Sequence, residues 1–122
     1  MTMPRTIAAA VTTGVLFSVF LGFSHAQNVK ESDKVLFGRA MTAIEKSEYV
    51  AARTLLERLI NSHPDSDYVP RAKLSIADAW YAEGAFKQAE LEYQDFITFF
   101  SNRPEVAQAQ LKIDSIHDKT GK

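Results

Sequence analysis

The 122-residue sequence contains no cysteine, and it has only five glycines, four prolines and three histidines. Without cysteine the chain has neither a disulfide nor an acylation site, so its stability has to come from packing. No two histidines stand four residues apart, which together with the missing cysteine argues against a zinc site. Glycine-rich phosphate loops are absent, and so are alternating β-branched runs bounded by hairpin turns.

Neither sign of charge is in excess. Beyond residue 26 the chain carries 13 Lys and Arg against 15 Asp and Glu, so no basic field would attract nucleic acid or anionic lipid. The carboxylates are typical of solvated helix faces, and nothing near them would bury a pair and shift its pKa. The sequence therefore predicts a protein that is not an enzyme and needs no metal or other cofactor.

The long apolar run, residues 7–23, stands near the N-terminus. It follows Arg5 and precedes Ser24 and Ala26, the small residues of a signal-peptidase site. An uncleaved membrane anchor is the alternative, although the run is at the short limit of what spans a bilayer. We predict an exported chain with a cleaved signal peptide at residues 1–26, a linker at 27–32 and one domain at 33–122.

From Asp33 onward, apolar residues recur at spacings of three and four, which predicts helices. The chain also matches itself after a shift of 37 residues, which indicates an internal repeat of two helices, here called A and B. We predict an all-α chain of five helices in the order A-B-A-B-A, or two and a half helical hairpins. The matched pairs are Tyr49 with Phe86, Ala52 with Ala89, Leu56 with Tyr93, Leu59 with Phe96, and Ala40 with Ala77.

This pattern resembles the tetratricopeptide repeat, which has a small residue midway along helix A and an aromatic residue and then Ala at the start of helix B. A bulky residue follows four positions after that Ala, and a Pro closes the unit. The first repeat supplies Ala40, Tyr49, Ala52, Leu56 and Pro64, and the second supplies Ala77, Trp80, Phe86, Ala89 and Tyr93.

We expect the repeat-position aromatics, Phe96 included, to lie in the core; for Trp80 a stacking platform is the alternative. Of Phe99 and Phe100, one is expected beside Phe96, while the other packs on the next helix or stays partly exposed. An exposed Phe100 would be a candidate contact residue.

The resemblance implies a protein-binding groove on the concave face, which the A helices line. An apolar strip with charged rims suits an extended or helical peptide. The alternative is that Phe37, Ile44 and Leu74 pack within or between the hairpins. The first A helix contributes Lys34, Phe37, Met41, Ile44 and Glu45, and the second contributes Arg71, Leu74, Asp78 and Tyr81.

The third A helix differs from the second. It has Asp114 where the second has Ala77, and His117 where the second has Trp80. Solenoids need a polar outer face on their terminal helix, so this helix is predicted to be a cap over the second B helix. The residues expected to cover that helix are Val106, Ala109, Leu111, Ile113 and Ile116.

Four strings, "DKVLFGRAM", "ARTLLERLINSHPDSDY", "AKLSIADAWYAEG" and "AELEYQDFITFF", resemble the BamD family, the tetratricopeptide lipoproteins of the outer-membrane β-barrel assembly machine. The resemblance covers residues 33–116. It implies a periplasmic scaffold, peripheral to the outer membrane, that helps to assemble and insert β-barrel proteins. Its partners would be other subunits of the machine and unfolded barrel precursors.

Two departures bear on this resemblance. The family is anchored by a lipidated cysteine that this chain lacks, and it usually has more repeats, so we expect a shortened relative, a fragment or a subunit with a different partner. The alternative is a CpoB-like periplasmic coordinator of cell-envelope constriction, acting with Tol-Pal and peptidoglycan synthesis. That class fits the missing cysteine better, but it normally adds a coiled coil that is absent here. A homo-oligomeric adaptor without a β-barrel role also stays open.

Overall fold

The computed structural model describes residues 30–122, and within them the chain forms five α-helices and no strand. Each helix packs mainly against its neighbours in the sequence, as expected for a solenoid of helical hairpins. The predicted all-α fold of two and a half repeats is thus confirmed. The A helices are α1 (Asp33–Glu45), α3 (Val69–Ala82) and α5 (Val106–Thr120), and the B helices are α2 (Tyr49–Ser62) and α4 (Phe86–Phe99).

The predicted signal peptide, residues 1–26, lies outside the described residues, as does the linker up to residue 29. Residues 31–33, at the start of α1, are fixed to the first hairpin by hydrogen bonds and ion pairs. Ser32 caps α1 by accepting a hydrogen bond from the Val35 amide at 3.2 Å. The Ser66 hydroxyl donates a 2.6 Å hydrogen bond to Asp33, and this bond holds the pKa of the Asp33 carboxyl below its usual range. The start of α1 is thereby tied to the turn between α2 and α3.

Glu31 adds a second attachment to the same hairpin. Its carboxylate pairs with Arg39 on α1 and with Arg58 on α2, the latter at 3.2 Å. Its carbonyl oxygen accepts a hydrogen bond from the His63 Nε2 at 2.8 Å. The hydrogen bond from Arg39 contributes most to the lowered pKa of Glu31. Because both arginines are exposed and Glu31 is only half-buried, we assign these pairs a role in local order rather than a large share of stability.

The three A helices end in the same way, at positions 37 residues apart. Ser47, Gly84 and Gly121 all adopt a left-handed conformation, with φ of 60°, 79° and 74°. This conformation lets the chain bond back to the last helical turn and satisfy carbonyl groups that the helix leaves free. The returning bonds run from the amides of Glu48, Ala85 and Lys122 to the carbonyls of Ala43, Trp80 and His117, at 2.8, 3.0 and 3.0 Å.

Replacing Ser47 by Gly is expected to stabilise the protein by roughly 0.5–1 kcal/mol, since glycine adopts positive φ without the steric cost of a Cβ atom. The matched change, Gly84→Ala, is expected to cost about 1–2 kcal/mol through backbone strain, because no heavy atom stands within 4 Å of the added carbon. Urea unfolding followed by circular dichroism measures both. A Ser47→Gly variant less stable than the parent would contradict the interpretation.

The core consists of two clusters that share α3. The first joins the first hairpin to one side of α3, and the second joins the other side of α3 to α4 and α5. Each hairpin therefore buries its apolar face against the next A helix, which is how a solenoid builds a continuous core. The first cluster is Leu36, Phe37, Ala40, Leu56, Leu59, Ala72 and Ile76, and the second is Leu74, Ala77, Ala89, Tyr93, Phe96, Ala109, Ile113 and Ile116.

The aromatic residues of α4 divide between core and surface. Tyr93 and Phe96 are buried, as expected, and Phe86 is half-buried against Tyr81, with ring centroids 5.4 Å apart. The half-buried Phe100 packs on Phe96 at 5.3 Å, whereas Phe99 has 76% of its surface exposed. The expectation that one of the two final rings joins Phe96 is confirmed, and the exposed one is Phe99 rather than Phe100.

One predicted core contact is wrong. Leu111 was expected to cover the second B helix, but 69% of its surface is exposed. Its neighbours Ala109 and Ile113 are buried, because they face α4. Leu111 occupies the repeat position of Leu74, which in the second repeat packs in the cluster with the residues of α4. No following helix in the described residues offers Leu111 a corresponding surface.

The two junctions between repeats use equivalent positions with different chemistry. At the first, the buried Arg53 of α2 lies over Trp80, its guanidinium carbon 3.6 Å from the ring centroid and its Nη1 3.1 Å from the Glu83 carboxylate. At the second, Glu90 of α4 accepts a 2.7 Å hydrogen bond from the His117 Nε2. Because Arg53 aligns with Glu90 and Trp80 with His117, the repeat register extends to side-chain contacts between helices. Trp80 has one face covered, as its core interpretation requires.

Candidate functional site

The predicted groove runs along the three A helices, and we call this surface the A-helix face. It is defined by the predicted groove residues of α1 and α3 and by the residues of α5 that contact them. Arg71 at the start of α3 lies over the Phe37 ring of α1, with its guanidinium carbon 4.7 Å from the ring centroid. Lys112 of α5 lies over the Tyr81 ring of α3, with its Nζ 4.3 Å from the centroid. Cation–π contacts therefore link each A helix to the next along this face.

The predicted groove residues differ in how much surface they offer a ligand. Lys34 and Arg71 are exposed, whereas Phe37 and Leu74 are only 7% and 8% exposed. Phe37 also stacks on Tyr68, with the ring centroids 4.9 Å apart. These two apolar members belong to the core clusters, as the alternative interpretation holds. The other members, Met41, Ile44, Asp78 and Tyr81, are half-buried, and Glu45 is exposed.

Asp78 is engaged inside the second hairpin. Its carboxylate accepts a hydrogen bond from the buried Tyr93 hydroxyl of α4. Burial, together with this hydrogen bond, raises the pKa of the Tyr93 phenol well above its usual range. The hydroxyl therefore stays protonated and donates to Asp78 at any ordinary pH. Asp78 contributes to holding α3 on α4, and less of its charge faces a ligand than the sequence suggests.

Tyr81 is fixed by its neighbours on α4 and α5. Its hydroxyl is hydrogen bonded to the Ser115 hydroxyl at 2.8 Å, its ring meets Phe86 edge to face, and Lys112 lies over it. The tyrosine thus offers a ligand a preorganised surface rather than a freely rotating ring. Lys112 and Ser115 were missed as groove residues. The 37-residue shift aligns Ser115 with Asp78, so extending the groove positions to the third A helix would have found it.

The A-helix face carries cations that lie against its aromatic rings. These cations are Arg71 and Lys112, and neither forms an ion pair with another described residue. The other predicted cation, Lys34, lines a depression on the first hairpin together with Gly38, Thr42 and Leu55. Of the three acids at groove positions, Asp78 is bonded to Tyr93 and Glu45 lies at the last residue of α1. The third, the exposed Asp118 of α5, aligns with Tyr81 in the 37-residue shift. Two such cations beside aromatic rings suit a ligand with a carboxylate.

Metal sites and membrane-spanning helices were also sought in the residues that the structure describes. Within residues 30–122 there is no group of three or more His, Cys, Asp or Glu side chains that could hold a metal ion. None of the described helices has the length and apolar character needed to cross a membrane.

A sequence model of the family named YfiO, described as an outer membrane lipoprotein, matches residues 29–114. The chain belongs to the YfiO family. This is the BamD family, so the resemblance seen in the sequence is confirmed at the level of the family. No individually curated protein matches the chain.

The YfiO match includes α1 to α4 and the first part of α5. It therefore covers every predicted groove residue, from Lys34 to Tyr81, and extends to Lys112. Of the residues that the structure adds to the face, Lys112 lies inside the match and Ser115 lies just beyond it.

Proposed function

We propose that this YfiO-family chain is a non-enzymatic adaptor in the assembly and insertion of outer-membrane β-barrel proteins. It binds an extended segment of a partner subunit or an unfolded barrel precursor along the A-helix face. Family membership supports the role in outer-membrane assembly over the CpoB-like alternative. The observation that carries the binding mode is that Arg71 and Lys112 lie over the rings of Phe37 and Tyr81 and form no ion pair with another described residue.

The same proposal includes a location and excludes catalysis. The chain acts in the periplasm, peripheral to the outer membrane, after export by a leader that ends at Ala26; the family description supports an envelope location. Both described histidines are used in structure, His63 on the Glu31 carbonyl and His117 on Glu90.

A peptide corresponding to the last strand of a β-barrel, with a free C-terminal carboxylate, tests the binding mode. Arg71→Ala and Lys112→Ala are each expected to weaken its binding by roughly 1–2 kcal/mol, because each removes a charge-assisted hydrogen bond. Titration of the fluorescein-labelled peptide measures the loss, and circular dichroism checks that both variants keep their helicity.

Lys87→Ala is the matched control, since Lys87 is an exposed cation on α4, away from the A-helix face. A second control is the same peptide with its C-terminus amidated, which should bind about as weakly to the parent as the free peptide binds to the variants. If Lys87→Ala weakens binding as much as Arg71→Ala does, the attraction is nonspecific and the assignment of the A-helix face fails.

A further inference from the structure

The most exposed large apolar side chain in the described residues is Phe99, which projects from the last turn of α4. The aromatic residues before and after it in the sequence are both packed, because Phe96 is buried in the core and Phe100 packs on Phe96. An aromatic ring left in water beside two packed rings is a typical anchor position of a protein–protein interface.

Phe99 stands at the end of a groove lined by α2, α3 and α4, and the groove shares no residue with the predicted A-helix groove. A depression of about 450 Å³ around Phe99 adjoins a second one of about 290 Å³, and Lys73 lines both. Four α4 residues spaced at three and four line one side, so they share a single helix face. We call this surface the α2–α4 groove; its residues are Glu57, Ile60, Asn61, Lys73, Ile76, Glu92, Asp95, Phe96, Phe99 and Phe100.

The repeat register indicates that the solenoid itself does not need a ring at this position. Phe99 aligns with Ser62 of the first repeat, and Phe100 aligns with His63. The first hairpin packs on α3 with a half-buried serine where the second has phenylalanine. The exposed ring is therefore a local addition to the second repeat and is not part of the shared packing plan.

The charges around the groove indicate the chemistry of the occupant. Three acids, Glu57, Glu92 and Asp95, outnumber the single cation Lys73, and none of the four forms an ion pair with another described residue. Glu92 accepts a hydrogen bond only from the neutral Gln88. An acidic rim attracts a basic polypeptide and repels an anionic lipid surface. The A-helix face instead presents the cations Arg71 and Lys112 on its rings, so the two surfaces suit different ligands.

We propose that the α2–α4 groove binds a basic segment of a partner protein. An apolar side chain of that segment packs against Phe99 and Phe100, and flanking Lys or Arg residues pair with Asp95 and Glu92. This site is separate from the A-helix face and does not depend on the function proposed for it. The chain would thereby hold a carboxylate-bearing client at the A-helix face and a basic partner at the α2–α4 groove.

A short fluorescein-labelled peptide, with a Leu–Trp pair flanked by lysines, is the probe. Fluorescence anisotropy with the full chain is expected to show binding that weakens as salt rises, since exposed charges are screened. Phe99→Ser, which installs the residue of the first repeat, is expected to weaken binding roughly tenfold or more, as for a hot-spot residue. Leu111→Ser is the matched control, because Leu111 is nearly as exposed but lies on α5 outside the groove.

Two charge-reversal variants test the electrostatic part of the proposal. Asp95→Lys is expected to weaken binding of the basic peptide about tenfold or more, because it replaces a favourable contact by repulsion. Asp114→Lys makes the same change in net charge on an exposed residue of α5 and should leave binding unchanged. A second peptide with glutamates in place of the lysines should not bind. Arg71→Ala, which tests the A-helix face, should leave binding of the basic peptide intact.

Four outcomes would overturn the proposal. The first is equal binding of the acidic peptide, and the second is no binding of the basic one by the parent chain. The third is a Phe99→Ser variant with a clearly lowered unfolding midpoint, which would make the ring structural. The fourth is a different occupant: a dimer by light scattering that Phe99→Ser dissociates would mean a second copy, and Phe99-dependent binding to anionic phospholipid vesicles would mean a membrane.

Discussion

Replacing Phe96 by Ala is expected to lower the free energy of unfolding by about 3–5 kcal/mol, the usual cost of removing a buried ring from a core. Phe96 is 2% exposed and belongs to the cluster that joins α3, α4 and α5. The change would leave a cavity under Phe100, which packs directly on it. A domain of this size has a total stability of roughly 5–15 kcal/mol, so the variant should unfold at markedly lower urea concentrations.

Phe99→Ala provides the matched control for this prediction. It removes the same ring from the same helix three residues later, but from a side chain that is mostly in solvent. Its free energy of unfolding should change by less than about 0.5 kcal/mol, as for other surface substitutions. If the two variants had equal stability, the burial pattern along α4 would be wrong.

Replacing Ala77 by Asp is expected to cost at least about 3 kcal/mol, because it places an unpaired carboxylate in the core. Ala77 has no exposed surface, and it lies in the cluster that holds α3 against α4. The aligned residue of the third A helix, Asp114, is exposed and carries the carboxylate without cost. The same side chain at the same repeat position is therefore tolerated in α5 and excluded from α3.

The reverse change, Asp114→Ala, is expected to alter the free energy of unfolding by less than about 0.5 kcal/mol. It removes only an exposed hydrogen bond from Gln110, at 3.1 Å. Thermal unfolding by circular dichroism compares the two variants under the same conditions. A large loss of stability on Asp114→Ala would mean that this position of α5 is buried. A small loss of stability on Ala77→Asp would mean that this position of α3 is not buried.

Much of the fold could be predicted because the repeat constrains many positions together. The shift of 37 residues aligns Leu59 with Phe96 and Ala52 with Ala89, and all four are buried. The same shift cannot tell whether a helix has a partner on its outer side. Leu111 has the repeat position of a core residue, yet it is exposed, because its burial depends on a neighbouring helix rather than on its own pattern.

The groove was harder to predict, for a geometric reason. Phe37 and Leu74 stand at the edge between the A-helix face and the core, where adjacent residues differ by about 100° in direction. A helical pattern assigns such edge residues to either side, and the contact between Phe37 and Tyr68 decides for the core. Lys112 was missed because the third A helix was interpreted only as a cap, whereas it also extends the face.

The unlike junctions have a consequence for folding. Repeat proteins misassemble when one repeat docks in the place of its neighbour, because the two are nearly interchangeable. Here α5 docked on α2 in place of α3 would bring His117 against Arg53 and leave Glu90 without His117. A protonated His117 would then face a cation, and a neutral one could not replace the stacking of Trp80 on Arg53. The two junctions therefore differ in chemistry, so that each A helix packs favourably only at its own position in the solenoid.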